Sequence, residues 1–379
     1  FKNDRSLSDA EKKQINEWID NGTPAGNASA APKAPTYDPN WHSGKPDHVI
    51  RLPKPIKVQA TGFMNYQEVV VPTGLDQDTW VQGMEVRPSA RQVVHHVLVF
   101  IRLKGQEKRE NPGEEVTSFF AAYVPGNDHL VYPKGFGKKL PAGSSLKFQI
   151  HYTPNGTATE DQTELGLHFS KVPIEHEVHT AGIANLFINI PPGAAWHPET
   201  ASIPVPYNAK IMSLLPHMHV RGAGARYDLT TPDGKTKTLL DIPRYDFNWQ
   251  LGYDFADYVD APKGSKLTFT AWYNNSDKNA ANPDPSKRVR WGSQTYDEMH
   301  LGYVEYMVPG AKPGEPLSGA ARPGAGAFIS TIFQQLDKNA DGFVTEAEAG
   351  ANAWSRFKVA DVDGDGKITL DEAMKAFGG

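Results

Sequence analysis

Between about residues 45 and 308 the chain never sustains a helical repeat. It alternates short runs of Val, Ile, Phe and Tyr with Pro, Gly and Asn. QEVVVP, HHVLVFIRL, LKFQIHY, ANLFINI, AKIMSLL and KLTFTAWY each have the length of a strand and are bounded by turn residues. The pattern predicts a mainly β fold built from antiparallel β-sandwiches, and roughly 260 residues would fill two of them in tandem. A break near 171–180 splits the stretch into halves, expected at 45–172 and 173–308, each with histidine-bearing strands.

The flanks have other compositions. Ser8 and Glu11 make an S-x-x-E capping box, Ile15, Trp18 and Ile19 share one face, and Asn21-Gly22 supplies a stop, so residues 1–22 are expected to hold one short amphipathic helix. One reading packs that helix on the main body. Another is that LSDAEKKQINEWIDNGTPAG resembles the tail of a bacterial cytochrome c domain whose haem-binding part is absent here. Residues 23–44 read as a linker, as do the Pro, Gly and Ala of 309–327. Residues 328–379 are acidic and helical in pattern: from 326 onward, nine Asp and Glu against five Lys and Arg leave −4 of the total charge of −5. They are expected to form a separate small α-helical domain.

The absence of cysteine excludes disulfides, thiolate zinc sites, cysteine nucleophiles and haem attached through C-x-x-C-H. Scattered Lys and Arg in a net acidic chain offer no field for nucleic acid. No run of 18 apolar residues exists to span a membrane, and FKNDRSLSDAEKK lacks the apolar core of a signal peptide, so the chain is expected to be soluble as given.

Histidine and methionine then carry the chemistry. His95 and His96 adjoin in the apolar run VVHHVLVF, and His151 ends KFQIHY on what should be a nearby strand. Neighbours on a regular strand face opposite ways, so one metal reaches both only through a bulge or through different ring nitrogens. The competing reading is three locally hydrogen-bonded sheet histidines. His217 and His219 stand at i and i+2 and would face one way from an extended LPHMHV, with Met218 turned to the core. Imidazole with thioether suits copper.

Two segments, DKNADGFVTEAE (337–348) and DVDGDGKITLDE (361–372), satisfy the twelve-residue EF-hand loop, with Gly342 and Gly366 at the sharp turn. Oxygen ligands for two calcium ions are expected from Asp337, Asn339, Asp341, the Phe343 carbonyl, Thr345 and Glu348, and from Asp361, Asp363, Asp365, the Lys367 carbonyl, Thr369 and Glu372. Calcium loops and the lack of thiols favour a secreted or periplasmic setting.

The order HH, then Q-x-H-Y, then H-x-H-x-x-G, then D-E-M with a Tyr four residues on resembles the copper type II, ascorbate-dependent monooxygenases, the family of peptidylglycine α-hydroxylating and dopamine β-monooxygenases. The resemblance covers about 48–308, with LGLHFS (165–170) at the join; LLDIPRYDFNWQ and NPDPSKRVRWGSQTYDEM look like its bacterial branch. It implies two eight-stranded jelly rolls and two coppers. His95, His96 and His151 would hold an electron-storing copper; His217, His219 and Met299 would hold one that binds dioxygen. Gln149 matches a glutamine behind the first site and Tyr303 a tyrosine on the substrate side. Leu215 and Leu301 replace an arginine and an asparagine of the peptide-hydroxylating members, which argues against peptide amidation. The expected activity is hydroxylation of a C–H bond in a small or peptide-like substrate, with ascorbate or a cytochrome c as electron donor. The alternative is a non-enzymatic copper-binding or electron-transfer subunit of a secreted assembly.

Overall fold

The structure, a computed structural model, describes residues 1–33, 40–106, 118–317, 329, 332–333, 336–339 and 341–377. The expected linkers at 23–44 and 309–327 fall partly outside them, at 34–39 and 318–327. The described chain is mainly β.

The first half builds two sheets. One orders His48–Arg51, Glu164–Phe169, Thr79–Arg87, Phe136–Leu140 and His176–Glu177, with His129–Val131 added beside Thr79–Arg87. The other orders Gln67–Pro72, Ser145–Tyr152, Val94–Arg102 and Ala121–Tyr123. Period-two alternation explains their packing. Leu146, Phe148, Ile150 and Tyr152 enter one core with Val97, Val99, Val81 and Leu165, which leaves Lys147, Gln149 and His151 on the opposite face of their strand. That face is buried as well.

The second half builds two four-stranded sheets. His179–Ala184, Leu301–Met307, Ala209–His217 and Tyr253–Ala261 form one; His197–Pro204, Lys266–Tyr273, Gly222–Thr230 and Thr236–Ile242 form the other. Both contribute to a core around Ile211, Leu214, Tyr227 and Phe269.

Three features depart from the expectation. Pairing is not wholly antiparallel, because His176–Glu177 runs parallel to Phe136–Gly137. The two main sheets of the first half have six and four strands rather than eight in all. The chain also stays with the first core through Val178, beyond the break expected at 172. The N-terminal helix, Asp9–Asp20, has the expected capping box, yet none of its residues is buried and Trp18 is 50% exposed. It is not packed on the body; the residues before it make the contact, with Phe1 against Tyr253 and Phe255.

The halves meet through a buried ion pair. Lys138 Nζ lies 2.6 Å from Glu305 Oε1 and also donates to Thr180 Oγ1; Tyr132 and Ser213 donate hydroxyls to the same carboxylate. Removing one member of such a pair leaves the other charge buried and uncompensated. Glu305→Ala should therefore lower unfolding stability by about 3–5 kcal/mol, read from urea denaturation. The double change Lys138→Met/Glu305→Leu should lose much less.

Candidate metal centre

Of the two routes open to the adjacent histidines, the bulge is present. Register against Ser145–Tyr152 shifts between Val94 and His96, and His96 pairs with His151. The shift brings His95 Nδ1 to 3.2 Å from His96 Nδ1, and His95, His96 and His151 each offer a nitrogen within 4.8 Å of the others. His217 ends Ala209–His217, directly opposite Leu301, and the chain then loops so that the His219 ring lies 5.3 Å from that of His217, centre to centre. Met218 turns into the second core, as its alternation required.

The two groups are not set apart in separate halves. The rings of His96 and His217 are 5.4 Å apart across the join, so five histidines form one continuous cluster. Met299 is buried, packed with Leu301 and Tyr303, and its backbone N–H shares Glu298 Oε2 with that of His219. Tyr303 is buried edge-on to Phe119 at a small cavity of about 80 Å³ that Leu215 also lines. Gln149 shares the His151 face of its strand and donates to Glu68 rather than to a histidine.

Several residues that organise the cluster carried no signal in the sequence. Phe247 stacks on His95 at 4.2 Å, and Tyr66 lies edge-on to His96 with its hydroxyl 3.4 Å from His219 Nε2. Gln250 Oε1 is 2.6 Å from His217 Nδ1; an amide oxygen only accepts, so that nitrogen carries the proton and Nε2 keeps its lone pair. Thr295 Oγ1 similarly meets His151 Nε2 at 2.9 Å. Glu298 is the hub. Its buried carboxylate accepts the backbone N–H groups of His219, Arg221 and Met299, tying the two ligand-bearing segments together. Burial pushes Glu298 up to about 7, against the pull of those three donors. Its place beside Met299 in D-E-M was the only clue.

Burial makes the imidazoles poor bases. Desolvation lowers His95 to about 4, helped by the charge His217 would carry; it lowers His151 to about 3 and His217 to about 4, and holds His96 and His219 well below the usual range. Uncharged rings are the ligating form. His151 Nδ1 and His219 Nδ1 are buried with no hydrogen-bond partner among the described residues, as nitrogens free to take a metal would be. Beside His151 lies a partly open cavity of about 560 Å³, lined by Phe63, Phe247, Asn248, Asn279 and Thr295.

At the C-terminus, Phe343–Thr345 pairs with Lys367–Thr369, burying Val344 against Ile368 between two loops. Gly342 and Gly366 take the left-handed conformation that the sixth loop position needs, with φ of 86° and 77°. Asp337, Asp341 and Glu348 converge within 4.8 Å, as do Asp361, Asp363 and Glu372. Asn339 and Asp365 Oδ1 accept backbone N–H groups inside the loops, and Thr345 and Thr369 hold the two glutamates by capping boxes. Glu348 Oε1 and Asp361 Oδ1 are left without a partner among the described residues.

A family model described as EF hand matches residues 329–348 and 355–375. The loops thus belong to a known calcium-binding type, and calcium is the ion they suit. No curated protein matches the chain. Among solved structures it is similar to the major capsid protein of bacteriophage PM2, at 10% identity and a TM-score of 0.34 over 70% of this chain and 99% of that one. It is also similar to infectious bursal disease virus Gx strain, at 10% identity and a TM-score of 0.22 over 76% and 77% of the two chains. Likenesses this weak carry no argument about function.

Two measurements follow. Each histidine resists protonation when folded but titrates near ~6.5 when unfolded, so the unfolded chain binds more protons below that pH. Stability of the metal-free protein is then fully present above pH 6.5 and falls as pH drops toward 4. The urea midpoint should be clearly lower at pH 5 than at pH 7.5, and His151→Asn should flatten the difference. Glu348→Gln and Glu372→Gln should each weaken one calcium site at least tenfold, leaving one tight site by calorimetry.

Proposed function

We propose that the chain is a copper-dependent monooxygenase of the type II, ascorbate-dependent kind, which hydroxylates a C–H bond with dioxygen. The observation that supports this most is the convergence of five buried, uncharged imidazoles, drawn from three separate stretches of sequence, with the backbone of the buried Met299 tied to that of His219 through Glu298. A packing role does not call for nitrogens left bare in the interior; a metal does. The donors fit copper: imidazole is borderline and thioether soft, and the lack of thiolate leaves a site able to pass between Cu(I) and Cu(II).

On this reading His95, His96 and His151 would hold one copper and His217, His219 and Met299 the other. Bound copper supplies one-electron chemistry toward dioxygen. The chain supplies the rest. Gln250 fixes the His217 ring, Glu298 holds the His219 and Met299 segments together, and Phe247 shields His95 from water. The jelly-roll form of the two halves, the donor as ascorbate or a cytochrome c, and a secreted or periplasmic setting belong to the same proposal.

The test is to load the protein with copper, count the bound ions and follow dioxygen uptake with ascorbate while screening small molecules for oxygen-dependent hydroxylation. Wild type should bind two coppers and turn over. Met299→Ala should lose at least about 100-fold in hydroxylation, of the order expected when a group acting on the reacting centre is removed, while the copper of His95, His96 and His151 is kept. Undiminished hydroxylation in that variant would overturn the ligand assignment. Two bound coppers with no coupled turnover of any substrate would instead indicate an electron-transfer subunit.

A further inference from the structure

Away from the central histidines, a second set of ligating side chains lies where the segment after residue 40 meets the first sheet. His42 and His129 are exposed and flank Asp128, whose side chain is only 12% exposed. His129 Nδ1 is 2.7 Å from Asp128 Oδ1; His42 Nδ1 is 3.3 Å from Oδ1 and 3.1 Å from Oδ2. One nitrogen of each ring and a carboxylate oxygen all fall within 4.8 Å of one another. Ligands bound at about 2.0–2.2 Å to a tetrahedral ion stand roughly 3.3–3.5 Å apart, so small ring movements would bring all three to one ion.

Two neighbours suit that role. Arg91 donates to Asp128 Oδ2 at 2.9 Å, which orients the carboxylate and leaves Oδ1 toward the histidines, as a supporting partner of a metal ligand does. Glu85 stands opposite His129 in the strand register. It is fully buried, with Oε2 held by the Ser43 N–H and hydroxyl and Oε1 without a hydrogen-bond partner among the described residues. The arginine's charge opposes a cation, but the carboxylates of Asp128 and Glu85 outnumber it.

We propose that His42, Asp128 and His129 bind one divalent ion of the zinc type, at a site distinct from the five central histidines. Two imidazoles and a carboxylate, with no thioether, select a borderline ion over Cu(I) or calcium. The ion would staple the segment carrying His42 to a strand 86 residues away in sequence.

The test uses the full chain, stripped with chelator, saturated with calcium and titrated with zinc. To keep the central histidines out of the count, the titration is also run on His95→Ala/His151→Ala/His217→Ala/His219→Ala. In that background one zinc should still bind at His42, Asp128 and His129, and adding His42→Ala/His129→Ala should remove it or weaken it at least tenfold. Asp128→Asn, which nearly preserves shape, guards against misfolding: it should weaken the same zinc at least tenfold and abolish the visible absorption of cobalt bound there. Equal zinc stoichiometry and affinity in the histidine double change and in Asp128→Asn would overturn the proposal and leave the cluster a hydrogen-bonded surface group.

Discussion

Five imidazoles can share one buried space only if none is charged. A single protonated ring would be desolvated and would repel any second one, and this constraint reaches outward into the rest of the fold. It requires hydrogen-bond partners that accept or donate without adding a net charge. Gln250, Thr295 and Tyr66 answer that need, each neutral and each meeting one ring nitrogen. A buried carboxylate close by, Glu298, spends its oxygens on backbone N–H groups and so fixes loops.

The same cluster depends on how the two halves are joined, since His96 and His217 come from different sheets. Lys138 and Glu305, with Tyr132, Ser213 and Thr180 filling their remaining hydrogen bonds, give that join a direction as well as an energy. A purely apolar contact could slide; a buried ion pair with satisfied partners has one register. The C-terminal module touches this region too. Leu186, two residues beyond the strand that ends at Ala184, packs both on the core of the EF-hand pair and on the apolar group around Met299.

Much of this was legible from local pattern. Alternation in KFQIHY put His151 opposite Phe148 and Ile150, the HH pair in an apolar strand made a bulge one of two routes to a shared metal, and glycine at the sixth position of each calcium loop required positive φ. What stayed hidden depends on long-range closure. Phe247 and Gln250 lie in a segment with no strand pattern, and nothing about them points to histidines 30 to 150 residues away until the halves come together. The convergence of both histidine groups into one cluster was hidden for the same reason. The N-terminal helix and its cap were legible, but its surroundings were not: the apolar stripe at Ile15, Trp18 and Ile19 obeys the rule for a packed helix, and periodicity does not say what a stripe will face.

Met212 and Met307 sit on strands of the second half, yet their side chains complete the core of the first. Methionine suits such a position, being long and adaptable enough to cross from one packed layer to another. The hydrophobic interior of one half is thus finished by residues that the other must fold to deliver. The first half then has no self-sufficient interior, whereas the core of the second is made from its own residues alone. The first half should therefore not stay folded once the second has melted, and the five histidines stay assembled only while both halves remain folded.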